Sequence, residues 1–206
     1  DKSLLRISSG RKILSAADDP GGLALSMRLS NELSLTNTIQ NSVENAKSFT
    51  DLQDGALKSA GDILMEMSSL KSKYTSASDT DKLIYAGQFR ELQVQLKGLG
   101  SEQLNGVSLF SSDSSTSTRI YTSTQGASGT YISLANLDIG GAVSTFGAAS
   151  YSAGVTISNT NAASDLSSAL SNIASLRAQS GGKLSTLGFA SDFLASKSVG
   201  LEAANS

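Results

Sequence analysis

The chain has 206 residues, 16 basic against 18 acidic side chains for a net charge of −2, 39% hydrophobic and 5% aromatic residues, and no Cys, His or Trp. That composition excludes disulfides and thiol chemistry, removes the commonest general base and zinc ligand, and gives no electrostatic case for nucleic acid or an acidic membrane surface. The length suits one or two domains, and an apolar content below the usual ~45–50% predicts a slender structure with a thin core of Leu, Ile and Ala.

No apolar run approaches the roughly 18–20 residues needed to cross a bilayer. No cleavable signal peptide is visible, and a start at Asp1 suggests that the natural beginning lies upstream.

The first predicted elements lie between Leu5 and Ala24. Gly10 suits a helix end. Asp19 suits an N-cap, with Pro20 at the first helical position, where its missing N–H costs nothing. One helix therefore stops as the chain begins, and a longer one is expected over residues 20–74. Its apolar positions, Ile39, Val43, Ala46, Phe49, Leu52, Ala56, Ala60, Ile63, Met67, Leu70 and Tyr74, alternate at three and four. Such a helix spans roughly 75–80 Å and needs other helices beside it.

The polar break from Thr75 to Asp81 ends it, and Asp79 or Thr80 is the expected cap of a second helix over residues 80–99. Leu83, Ala86, Phe89, Leu92, Leu96 and Leu99 form its stripe, and Gly98 and Gly100 close it. The short connector predicts antiparallel helices.

Residues 105–160 read as a β and loop region. Asn105-Gly106 is a turn dipeptide, with Val107–Phe110 as a short strand after it. Ser111–Thr118 is Ser/Thr-rich. The runs 119–122 and 130–134, separated by Gly126 and Gly129, read as a hairpin. Residues 140–160 are rich in Gly, Ala and Ser, with one weak strand over Val155-Thr156-Ile157.

Helix returns over residues 162–204. Leu166, Ile173, Ser180, Leu187, Leu194 and Leu201 recur every seven residues, with Leu170, Leu176, Leu184 and Ala190 filling the same face. This is a heptad seam with one polar member. Gly181-Gly182 is expected to weaken or bend it. The fold expected is mainly α: an elongated antiparallel helical rod of a long helix, a shorter helix and a C-terminal long helix, with a small β-hairpin region. Residues 1–19 would be a connector and 20–206 a single core. Whether the last helix runs parallel or antiparallel to the first is open at this point.

The order of motifs resembles the core of bacterial flagellins. The run Ser8-Ser9-Gly10-Arg11-Lys12-Ile13 through Asp18-Asp19-Pro20-Gly21-Gly22-Leu23-Ala24 is similar to the segment that joins a flagellin's terminal helix to its first long core helix. Leu52-Gln53-Asp54-Gly55-Ala56-Leu57 resembles the family's "T-x-E-G-A-L", and Leu104-Asn105-Gly106-Val107 its "FNG-x-K-L". Leu176–Ala190 is a weaker match, because Gly182 and Lys183 replace the usual residues. The resemblance implies a core lacking the terminal helices and the outer variable domains.

The resemblance also implies the function: a self-assembling structural subunit of the flagellar filament, extracellular and exported by the flagellar type III route. Its partners would be other flagellin subunits, the filament cap, hook-junction proteins and an export chaperone. Without terminal helices this stretch is expected to stay monomeric. A hook–filament junction protein and a secreted helical adhesin are the alternatives. No catalytic constellation, cofactor site or metal site is expected, since Asp18-Asp19 reads as a helix cap and the scattered carboxylates as solvated faces or subunit contacts.

Candidate subunit contacts are the basic connector Arg6, Arg11 and Lys12 with the cap Asp19, and the apolar Leu29, Leu33 and Leu35, which a thin rod has little means of burying internally. The Ser/Thr-rich stretch admits either a flexible loop or O-linked glycan. In flagellins recognised by the animal receptor TLR5, the first long helix carries an Arg and the second a Glu. Anchored on Asp54-Gly55-Ala56-Leu57, the Arg position falls on Glu66 and the Glu position near Gln88, while the motif's Leu is kept as Leu70. TLR5 recognition is therefore expected to be weak or absent.

Overall fold

The computed structural model describes residue 8 and residues 19–112, 118–134, 137–143 and 156–205. Helix α1 spans Pro20–Thr75 and α2 spans Asp79–Gly100. Strands β1 (Gln103–Leu104) and β2 (Val107–Ser108) form one two-stranded sheet, and β3 (Thr118–Tyr121) and β4 (Tyr131–Leu134) a second. A four-residue helix α3 (Ile139–Ala142) precedes α4, which runs over Ala162–Asn205. The mainly α class with small hairpins holds.

Asp19 caps α1 as expected: its Oδ1 accepts from the Gly22 N–H at 2.9 Å. The cap of α2 is neither Asp79 nor Thr80 but Ser78. The Ser78 hydroxyl accepts from Asp81 N–H and donates to the Asp81 carboxylate, a reciprocal arrangement that leaves Asp79 and Asp81 in the first turn beside the helix dipole.

The turn at Asn105-Gly106 has φ values of 51° and 80°. Both residues take the left-handed form that a two-residue hairpin loop demands, and Gly106 does so without a side-chain penalty. The loop brings Leu104 opposite Val107. The strand expected over Val107–Phe110 stops at Ser108, and Phe110 instead makes a parallel bridge with Leu137. Thr156 and Ile157 are not strand: Ile157 lies in a turn with its side chain buried. Val155 lies outside the described residues, as do Gly10 and residues 113–117 of the Ser/Thr stretch. Helix α4 continues unbroken through Gly181-Gly182.

The chain divides into two compact units: Asp1–Glu44 with Tyr121–Tyr131 and Gly188–Ser206, and Asn45–Ile120 with Ile132–Leu187. The second unit holds the main apolar core. Leu57, Ala60, Leu64, Met67 and Leu70 of α1 meet Phe89 and Leu96 of α2, Leu109, Phe110 and Leu137 of the loops, and Leu166, Ala169 and Ile173 of α4. Phe89 and Leu96 can share a core with Leu57 only if α2 folds back along α1, because 22 helical residues span roughly 33 Å.

The buried stripe of α1 departs from the expected one. Leu52 is exposed, and the polar Thr50 and Gln53 are buried in its place. Each polar group finds a backbone partner: Thr50 Oγ1 donates to Ala46 O, and Gln53 Nε2 donates to Leu109 O. That satisfaction is what makes a polar residue tolerable there. Leu83 and Leu170 also turn outward, and Ala169 takes the inward place on α4.

Candidate functional site

Helices α1 and α4 run antiparallel in each unit, a point the sequence left open. In the second unit Ser180 donates to Thr50 O at 3.3 Å, and Arg177 reaches Asp54. Lys71 donates to the carbonyls of Ile157 and Asn159, just before α4 begins, at 2.8 and 3.0 Å. In the first unit Ser191 bonds Glu44, Ser198 donates to Asn37 at 2.9 Å, and Asn205 joins both Ser26 and Ser30. Lys197 pairs with Glu32 at 2.8 Å. Such side-chain rungs specify register where apolar packing alone would permit sliding.

Two basic side chains of α4 have displaced pKa values. The Arg177 guanidinium is held above its ordinary pKa first by its hydrogen bond to Asp54 and then by that carboxylate's charge. Lys183 is pushed below its ordinary value by burial. Neither sits in an array of acids, bases and nucleophiles. Among the described residues no three Asp or Glu converge as metal ligands.

Two depressions are candidate sites. In the second unit a groove of about 530 Å³ is lined by Leu96, Lys97, Phe110, Asp138, Ile139 and Val143 among others. In the first unit a notch of about 270 Å³ is lined by Glu32, the loop 122–125, Thr130, Phe193, Leu194 and Lys197. Glu32 and Lys197 are spent on one another, so the notch offers hydroxyls and an amide but no free acid–base pair.

Among the contact candidates, Asp19 is exposed and committed to its cap, Leu29 and Leu33 are half-buried, and Leu35 is 44% exposed. Arg6, Arg11 and Lys12 lie outside the described residues. Glu66 and Gln88 are exposed, whereas Leu70 is buried in the core. Sequence reasoning passed over Phe189 and Phe193, which stand exposed on α4. The signal was present: the seam through Leu187 and Leu194 places both rings off its own face.

Comparison with known proteins gives matches among flagellar proteins. The family model for the bacterial flagellin N-terminal helical region matches residues 1–116. A B-type flagellin of Pseudomonas aeruginosa is 33% identical over 96 residues, covering 46% of this chain and 20% of that protein. A flagellar filament 31.3 kDa core protein of Treponema maltophilum is 27% identical over 112 residues, covering 53% of this chain and 39% of that one. The chain thus spans between a fifth and two fifths of these relatives.

Among solved structures, a Bacillus cereus flagellin superposes with a TM-score of 0.62 at 19% identity, covering 74% of this chain and 88% of that one. A putative flagellar hook-associated protein of Vibrio parahaemolyticus gives 0.72 at 13% identity, covering 93% and 99%. At these identities the structural likeness is one of fold.

Proposed function

The chain belongs to the bacterial flagellin family, and from that membership we propose that it serves as a structural subunit of the flagellar filament, self-assembling outside the cell for motility. The observation that carries the reading is the family match over residues 1–116, more than half the chain. The paired helices α1 and α4 support it, since they offer long faces for packing beside copies of themselves. A role at the hook–filament junction rests on fold likeness alone and is the second reading.

In this reading other flagellin subunits are the principal partners, with hook-associated proteins at the filament's base. A filament cap and an export chaperone complete the set, and export follows the flagellar type III route. A chain without Cys suits passage in an unfolded state, because no disulfide has to form or break on the way. No helix of the described residues is long and apolar enough to cross a membrane. Arg6, Arg11, Lys12, Asp19, Leu29, Leu33 and Leu35 are proposed subunit contacts. The 206-residue stretch by itself is expected to be a monomer of 21.1 kDa by light scattering.

The test is immunogold electron microscopy of the source bacterium with antibody raised against this stretch. Label along the whole filament is the expected result. Label confined to the junction would establish the second reading instead, and flagella without label would overturn both.

A further inference from the structure

We propose that Phe189 and Phe193 form an apolar anchor by which the outer face of α4 docks on a second copy of this chain. The proposal rests on the filament-subunit reading and names one surface through which assembly proceeds. The two rings are 73% and 63% exposed, in a chain with six Phe in all. They are four residues apart on one helix and therefore neighbours on one face.

Both rings lie off the buried seam with α1, and Phe193 also borders the notch lined by Glu32, residues 122–125 and Thr130. Leu187, Ser191 and Leu194 are the buried residues of this part of α4. Phe189 lies two residues beyond Leu187, about 200° around the helix at 100° per residue. Phe193 lies one residue before Leu194, about 100° from it and on the same side as Phe189. Both rings stand off the buried seam and remain more than half exposed where they lie, which leaves them open to cover from a second copy.

The surroundings favour a second helix as that cover. Ser196 and Gly200 extend the same face at seven and eleven residues beyond Phe189, and both are exposed. A Cβ placed on Gly200 would meet nothing within 4 Å. Two rings followed by a low bed of small residues admit close approach of another backbone.

Area decides the kind of partner. A fully buried aromatic side chain covers about 150–250 Å², so the exposed parts of the two rings together offer roughly 200–340 Å². A stable one-to-one complex needs about 800 Å² per partner. The patch is too small to hold an isolated pair and well suited to a contact repeated along a lattice, where many weak contacts add. A second copy in a filament meets that condition, and it leaves the separate chain monomeric.

The test uses the full-length protein that carries this stretch, polymerised onto filament seeds. Phe189→Ser with Phe193→Ser is expected to raise the critical concentration for growth about tenfold or more, as removal of central aromatic anchors does elsewhere. The variant's helicity and melting temperature as a monomer should stay close to the wild type's, because neither ring belongs to the buried core. Ser196→Arg, on the same face, should impair growth without altering either ring. Wild-type filaments with unchanged growth of both variants would overturn this inference and leave the filament reading standing. Failure of the wild type to polymerise at all would overturn the filament reading itself. Normal growth with loss only of attachment to the hook would assign the patch to a different partner and overturn the second-copy assignment.

Discussion

Arg177 of α4 holds Asp54 of α1 in a two-pronged ion pair, its Nε donating to one carboxylate oxygen and its Nη2 to the other, both at 3.1 Å. The pair joins residues 123 apart in sequence and fixes the register of the two helices in the second unit. Asp54 belongs to the Asp54-Gly55-Ala56-Leu57 run that marks the family resemblance, so one motif residue has a mechanical explanation.

Arg177→Lys keeps the charge and loses the planar fork. The side chains are 42% and 34% exposed, so solvent screens the interaction. The expected loss is about 0.5–1 kcal/mol, or a fall of about 1–4 °C in Tm. The difference should shrink in 1 M salt, where the Debye length falls to about 3 Å. Calorimetry at low and high salt checks both points; equal Tm values at low salt would refute a stabilising role.

Thr36 and Ser180 make a contrasting pair. Both are fully buried hydroxyl residues, Thr36 on α1 and Ser180 on α4. Ser180 donates to Thr50 O, whereas the Thr36 hydroxyl has no partner. Ser180→Ala should cost about 0.5–1.5 kcal/mol. Thr36→Val, nearly isosteric, should stabilise by about 1 kcal/mol because it removes an unsatisfied buried group. Urea denaturation of the two variants should therefore shift in opposite directions, and a loss of stability in Thr36→Val would contradict the assignment.

Lys183 gives a pH dependence of definite sign. Burial lowers its pKa in the folded protein below the ordinary 10.5. Between the lowered value and 10.5 the unfolded chain holds more protons, so stability rises with pH across that window. Below it the burial penalty is present in full, and above 10.5 it has vanished. Lys183→Gln should gain most over the wild type near neutral pH, with the gain shrinking as pH approaches 10.5. A difference that stays constant in denaturation curves from pH 7 to 10.5 would show that Lys183 is not the cause.

Recognition by TLR5 is expected to be weak or absent. We propose this because, on the motif alignment that the resemblance implies, the exposed Glu66 would reverse the charge at the Arg position and the exposed Gln88 would stand near the Glu position, with Leu70 buried in the second unit's core. A cell reporter assay on the intact protein measures this directly, and full-strength signalling would defeat it.

Much of this architecture is legible in the chain because strong local signals agree with one another. Asp19-Pro20 starts α1 through two independent effects, a side-chain acceptor and a missing donor. Asn105-Gly106 sets its hairpin because few residue pairs accept two positive φ angles. The seven-residue period of α4 survives Gly181-Gly182 because packing of Leu187 and Ile173 on either side outweighs about 1 kcal/mol per glycine. Where the reading failed, tertiary partners decided. Gln53 is buried because Leu109 O, 56 residues away, accepts its amide. Leu52 and Leu83 are outside because a thin bundle has only one inner face per helix. Ser78 displaced Asp79 as a cap because its hydroxyl both accepts and donates, which a carboxylate cannot do. The candidate contact surface was less legible still: apolar residues at helical spacing look alike whether they face a neighbouring helix or a neighbouring molecule.

The antiparallel pairing of α1 with α4 also sets an order of assembly in time. The rungs of the second unit join residues 86 to 130 apart, and those of the first unit residues 147 to 179 apart. Loop-closure entropy grows with that separation, so the Ser26–Asn205 rung is the most costly to form on its own. Once Lys71 has captured Ile157 and Asn159, each later rung closes only the stretch of helix that separates it from the rung before, far less than the whole loop. The chain is thereby built to zip from its middle outward, and slow steps in refolding should map to the first unit, whose amides would be the last to gain protection in pulse-labelled hydrogen exchange.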